Sequence, residues 1–145
     1  MGNQGITAGH LLQQANQLKR AGRLDEAVAL YRQAIEINPN FAWIYYYLGD
    51  ALVKQGNLDE AVAFYYEGLK NNPNSSWLHY SLGEAFAQQG DSEGAIEYLQ
   101  KAVEINPDYY KSHHRFGQIL DKKKHFQNCI HNILEKYLIN GLHIY

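Results

Sequence analysis

The sequence predicts an all-α fold, an array of antiparallel helix pairs, and three observations predict it. The dipeptide Asn-Pro recurs at 38–39, 72–73 and 106–107, a step of 34 residues. Gly22, Gly56 and Gly90 keep the same step, and so do Ala27, Ala61 and Ala95. Between these marks the apolar residues follow helical spacing: Ala27, Val28, Tyr31, Ala34 and Ile35 in one stretch, then Tyr45, Leu48, Gly49 and Leu52 in the next. Self-similarity at a fixed step of about 20–50 residues is the mark of a repeat architecture.

Each element has a mechanical reason. Residues 1–7 read as an arm, and repeats are expected at about 8–41, 42–75 and 76–109, all within one domain spanning 1–145. In each repeat the first helix must end near Gly22, Gly56 or Gly90, because glycine accepts the left-handed conformation that closes helices. The second helix must end before Pro39, Pro73 or Pro107, since proline lacks the amide hydrogen that would continue it and pushes its predecessor out of helical geometry. The Asp-Glu pairs at 25–26 and 59–60 open second helices, where acidic residues complement the helix dipole.

Ala15, Gly49, Gly83 and Gly117 form a further series at the 34-residue step, in mid-helix. Glycine there costs about 1 kcal/mol against alanine, so these positions are expected to let paired helices approach closely. Spaced small residues with a terminal proline resemble the tetratricopeptide repeat family over roughly residues 7–121. The resemblance implies a right-handed superhelical array whose first helices line a concave groove that holds a peptide or partner protein.

After Lys122 the pattern decays: Lys124 stands at the turn glycine, Cys129 and Lys136 at the small residues of the second helix, and Gly141 at the proline. Ile130, Ile133, Tyr137 and Leu138 keep helical spacing, so a fourth helix at 110–123 is expected to pair with a degenerate capping helix at 126–139. A repeat array needs an atypical end, because its last unit has no neighbour to cover it.

Composition narrows the function. The chain is 46% hydrophobic and 19% charged, as in a globular protein. A net charge of −2 argues against nucleic acid. No run of 18 apolar residues would span a membrane. The lone Cys129 forms no internal disulfide and fits a reducing, cytoplasmic setting. Charge is uneven: residues 1–110 hold 7 Lys+Arg against 13 Asp+Glu, and residues 111–145 hold 6 against 2. That gradient offers a route to weak self-association.

The candidate site lies on the helix face left over after packing. Trp43, Tyr46, Asp50 and Val53 form a second stripe on the first helix of repeat two, answered by Trp77, Tyr80, Glu84 and Ala87 in repeat three. By the resemblance this stripe faces the groove. Trp43, Tyr46, Tyr47, Trp77 and Tyr80 then make an aromatic wall, with Asp50 and Glu84 as its negative points. Trp and Tyr bring large contact area at small entropy cost. The alternative is that these rings pack only against one another between neighbouring first helices. Some relatives in the family grip a C-terminal carboxylate with Lys, Asn and Arg; the matching positions here hold Leu12, Asn16, Tyr47, Trp77 and Ser81, of which only Asn16 fits.

No catalytic constellation is found, and no cofactor or metal is expected. His79 and His113 fall in the packed stripe with Leu11 and Tyr45 and read as core or half-buried residues. His125 and Cys129 are one helical turn apart, which begins a zinc site but supplies only two ligands. Cys129, at a crossing position, reads better as a small buried thiol. Lys122-Lys123-Lys124 reads as a basic helix end. The expected function is therefore a non-catalytic interaction scaffold. The alternatives are an accessory segment of a larger enzyme such as a transferase, or a self-associating module.

Overall fold

The computed structural model describes residues 5–142, with the side chains of residues 110, 137 and 140–142 excepted. Six helices make three hairpins: α1 (Ala8–Arg20) with α2 (Leu24–Ile37), α3 (Ala42–Lys54) with α4 (Leu58–Asn71), and α5 (Ser76–Gln88) with α6 (Ser92–Ile105). A seventh, α7 (Tyr110–Leu142), packs on α6. Among the described residues there is no strand, and no helix is long and apolar enough to cross a membrane.

The turns follow from glycine. Gly22, Gly56 and Gly90 have φ of 78°, 85° and 82°, and these are the only positive φ values among the described residues. Inside the hairpins the helices nearly touch. A Cβ on Gly49 would lie 2.2 Å from Tyr65 Cε1, and one on Gly83 would lie 2.6 Å from Leu99 Cγ. Ala61 and Ala95 are fully buried at the same crossings. Gly68 lets α4 approach helices on two sides: its Cβ would meet Tyr45 Cβ within the hairpin and Leu78 Cδ1 of the next repeat, each at 2.9 Å.

The expected C-terminal helix pair is instead one helix of 33 residues. The physical reason stands at 124. A lysine in the left-handed conformation costs about 1–2 kcal/mol, whereas Lys122, Lys123 and Lys124 are all good helix formers, so α7 runs through the place where the other hairpins turn. Several expectations fall with that turn. The lysine triplet lies mid-helix. Gly117 has no atom within 4 Å of its would-be Cβ, Cys129 is exposed, and His113 is exposed. Gly117 and His113 lack the returning helix that would have covered them, and Cys129, expected on that helix, has no crossing to be buried in.

The stack also accounts for two of its histidines. Tyr45 Oη donates to Pro39 O at 2.7 Å, and at the same place in the next units His79 Nε2 lies 2.9 Å from Pro73 O and His113 Nε2 lies 2.5 Å from Pro107 O. A polar ring six residues beyond each proline thus satisfies the carbonyl left open where the preceding helix stops.

Candidate functional site

The first helices bring their backbones close together, α1 to α3 and α3 to α5, whereas α2, α4 and α6 reach one another through long side chains such as Arg32 to Glu60 and Tyr66 to Tyr98. The stack therefore closes toward the first helices, and residues aimed between them share one surface. On it the aromatic stripe is continuous. Tyr47 meets Tyr46 at 5.2 Å and Trp43 meets Tyr46 at 5.8 Å, and the fully buried Tyr31 of α2 backs the row, stacked on Tyr47 at 6.4 Å. Trp77 is 6.3 Å from Trp43 and 6.1 Å from Tyr46. The row continues through Tyr109, 4.6 Å from Trp77 and 5.8 Å from Tyr80.

Packing and exposure coexist along this row. Tyr46, Tyr47 and Tyr80 are half-buried, yet Trp43 remains 43% and Trp77 36% exposed although each touches several rings. An open groove of about 490 Å³ runs beside them, lined by Trp43, Tyr46, Asn72, Asn74, Ser75 and Trp77. A depression of about 570 Å³ lies elsewhere, at the turn of repeat one around Asp25 and Gln55, and holds no aromatic ring.

Asp50 and Glu84 are present on this surface, and both are paired with the adjacent unit. Lys19 Nζ lies 2.6 Å from Asp50 Oδ2, and Arg115 Nε lies 2.5 Å from Glu84 Oε1. Lys19 also sits 5.0 Å above the Tyr47 ring, a cation–π contact. Burial, with the Asp50 carboxylate nearby, pushes the Tyr46 hydroxyl up to about 12. Burial and Glu84 raise Tyr80 in the same direction. These phenols stay protonated near neutrality and can donate hydrogen bonds to a ligand.

Of the other candidates, Asn16 holds in repeat one the place of Asp50, and the His125–Cys129 pair lies apart on α7. Asn16 Oδ1 accepts a hydrogen bond from Tyr31 Oη at 2.5 Å, so its carbonyl is already engaged. His125 Nε2 lies 3.8 Å from Cys129 Sγ on the exposed side of α7. No third His, Cys, Asp or Glu gathers with them among the described residues.

Comparison with known proteins agrees with the architecture. A family model described as TPR repeat matches residues 15–56 and 49–90, and one described as Tetratricopeptide repeat matches 76–109. Together these matches cover more than half of the chain. The chain belongs to the tetratricopeptide repeat family. No curated protein matches it in sequence. Among solved structures, this TPR array is similar to the first TPR domain of Spaghetti (RPAP3) bound to the HSP90 peptide SRMEEVD. The TM-score is 0.78 at 16% identity, covering 81% of this chain and 94% of the other. It is also similar to the MamA protein, with a TM-score of 0.73 at 22% identity, covering 82% of this chain and 65% of the other. At these identities the likeness concerns the fold.

Sequence reasoning missed Tyr109 and the two cations that pair with the carboxylates of the TPR array's aromatic surface, Lys19 and Arg115. Tyr109 precedes α7 and belongs to no helical stripe, although Phe41 and Ser75 at its equivalent positions mark the same helix entrance. Lys19 is separated from Asp50 by 31 residues and belongs to the neighbouring repeat.

Proposed function

We propose that this TPR array is a non-catalytic scaffold that holds an extended peptide or partner segment against the wall of Trp43, Tyr46, Tyr47, Trp77 and Tyr80, with Tyr109 as a further anchor. The observation that carries the reading is the Trp43–Trp77 pair: two large rings from successive repeats, 6.3 Å apart, each still more than a third exposed beside a groove. Rings of this kind serve as interface anchors when a partner desolvates them. Asp50 and Glu84 belong to the site as ion-paired neighbours, so the segment we expect is apolar and near-neutral, with groups that accept hydrogen bonds from the tyrosines. The working location we propose is cytoplasmic, on the strength of the lone thiol of Cys129.

The Spaghetti domain carries an acidic HSP90 peptide. In this chain Leu12, Asn16, Tyr47, Trp77 and Ser81 stand where Lys, Asn and Arg would grip a terminal carboxylate, and only Asn16 fits. We therefore expect SRMEEVD not to bind. The test is selection from a displayed peptide library, followed by affinity and melting measurements on wild type, Trp43→Ala and Trp77→Ala. Loss of the selected peptide with the fold intact supports the wall as the site. Unchanged affinity in folded variants ends the proposal, and so does tight binding of SRMEEVD that is insensitive to both tryptophans.

A further inference from the structure

The second half of α7 has no function in the groove and no helix to lean on. Its apolar residues nevertheless continue a single seam. Ser112, Phe116, Ile119, Lys123, Phe126, Ile130 and Ile133 follow one another at alternating steps of four and three residues, the spacing of a helix that packs along another helix. The first part of the seam is occupied: Ser112 and Ile119 are buried, and Phe116 packs on the Ala95 and Leu99 cluster of α6. Beyond Lys123 the helix overshoots the turn at Gly90. The same seam then emerges bare, with Phe126 66% and Ile133 53% exposed, and with Leu134 and Leu138 exposed alongside.

We propose that a second copy of this chain covers the seam: the two overhangs pair antiparallel about a twofold axis between Ile130 and Ile133, so that Ile130 of one copy opposes Ile133 of the other. Three observations favour a second copy over an unrelated partner. The seam reads apolar in both directions, which an isologous contact requires. Between His125 and Leu142 the only Asp, Glu, Lys or Arg side chains are Glu135 and Lys136, and Glu135 lies 3.2 Å from His131 on its own helix, so self-pairing brings no block of like charge together along the contact. Antiparallel pairing also lays the C-terminal end of one α7 beside Lys122–Lys124 of the other, where lysines favour the negative end of a helix dipole. At that base a groove of about 580 Å³, between Gly90–Glu93 and Lys122–Ile130, is open to receive the end of the second helix. Paired overhangs of about 20 Å bury less than the roughly 1,600 Å² of a standard interface, so the dimer is a dissociable one whose population rises with concentration.

The experiment is light scattering of the full chain over a concentration series at low and high salt, on wild type and on the double variant Ile130→Glu/Ile133→Glu. Both residues are exposed, so the variant is expected to keep its helicity by circular dichroism. The proposal expects a wild-type dimer that survives high salt and a variant that is monomeric throughout. A wild-type monomer up to the solubility limit overturns it. A dimer retained by the variant also overturns it, as does one dispersed by salt in both proteins, which would assign association to the acidic and basic halves of the chain. Orientation is read from Phe126→Cys/Cys129→Ser mixed with Tyr137→Cys/Cys129→Ser, because pairing Ile130 with Ile133 sets position 126 opposite position 137. Antiparallel pairing oxidises the mixture to a disulfide-linked dimer and leaves each variant alone uncoupled, and the reverse result refutes the arrangement.

Discussion

Gly83 meets Leu99 so closely that a Cβ on the glycine would lie 2.6 Å from the leucine Cγ and 3.3 Å from the backbone oxygen of Ala95. Gly117 holds the same place one repeat later and meets nothing within 4 Å. One substitution should therefore have opposite signs at the two positions. Gly83→Ala overpacks a crossing and is expected to destabilise by about 1–3 kcal/mol. Gly117→Ala adds only helix propensity and is expected to stabilise by up to about 1 kcal/mol. Thermal or urea unfolding of the pair checks this, and equal losses would mean that a helix does return over Gly117.

The tryptophans allow a second comparison. Trp77 packs on Trp43, Tyr46 and Tyr109, yet keeps about a third of its surface in solvent. Trp77→Ala should lower the affinity of a selected peptide by about 2 kcal/mol or more if the ring is an anchor. Its stability loss should stay below the roughly 3–5 kcal/mol of a fully buried aromatic truncation. Isothermal titration and melting of the same preparation measure both quantities.

Ser112 offers a gain. Its hydroxyl is fully buried without a hydrogen-bond partner, at the place where Ile44 and Leu78 fill the core of the preceding repeats. An unsatisfied buried group costs about 1–3 kcal/mol, so Ser112→Ala should raise the melting temperature. A fall would indicate that the hydroxyl has found a water or backbone partner in solution.

Alkaline pH supplies a test that needs no mutation. Burial raises the phenols of Tyr46 and Tyr66 to about 12 from the ordinary 10.0, and lifts those of Tyr31 and Tyr65 in the same direction. A group whose folded-state pKa is raised contributes its full stability below its unfolded value and loses it as pH climbs toward the folded one. The array's stability should thus be independent of pH near neutrality, where this contribution is fully present, and fall between about pH 10 and 12. Tyrosinate absorbance should rise together with the loss of helical circular dichroism. Titration of every tyrosine well before unfolding would contradict their burial.

Much of this was legible from glycine and proline. A turn that needs positive φ and a helix that must stop leave residues that cannot be exchanged freely, and Gly22, Gly56, Gly90 and the three Asn-Pro pairs mark them at fixed intervals. The tail misled for an equally physical reason. Ile130 and Ile133 have the spacing of a separate capping helix, and they also continue the steps that begin at Ser112. Periodicity alone does not distinguish a new helix from a longer one, and the deciding signal was the lysine at 124. The aromatic wall was visible as a stripe, but the partners of its carboxylates were not. Lys19 and Arg115 reach Asp50 and Glu84 across the junction between units, a distance that no single-helix pattern spans.

Those cross-junction links share one more property. Gln55 donates to Asp25, Gln89 to Asp59 and Lys123 to Glu93, each across 30 residues and each to the adjoining unit alone. With such bonds the molecule has no keystone. It is a zipper whose teeth engage only their immediate neighbours, so rupture at one junction leaves the next one closed. Opening then begins at the ends of the stack, at α1 and α2 and at α7, which are gripped from one side only, while α3 to α6, clasped on both, are the last to let go.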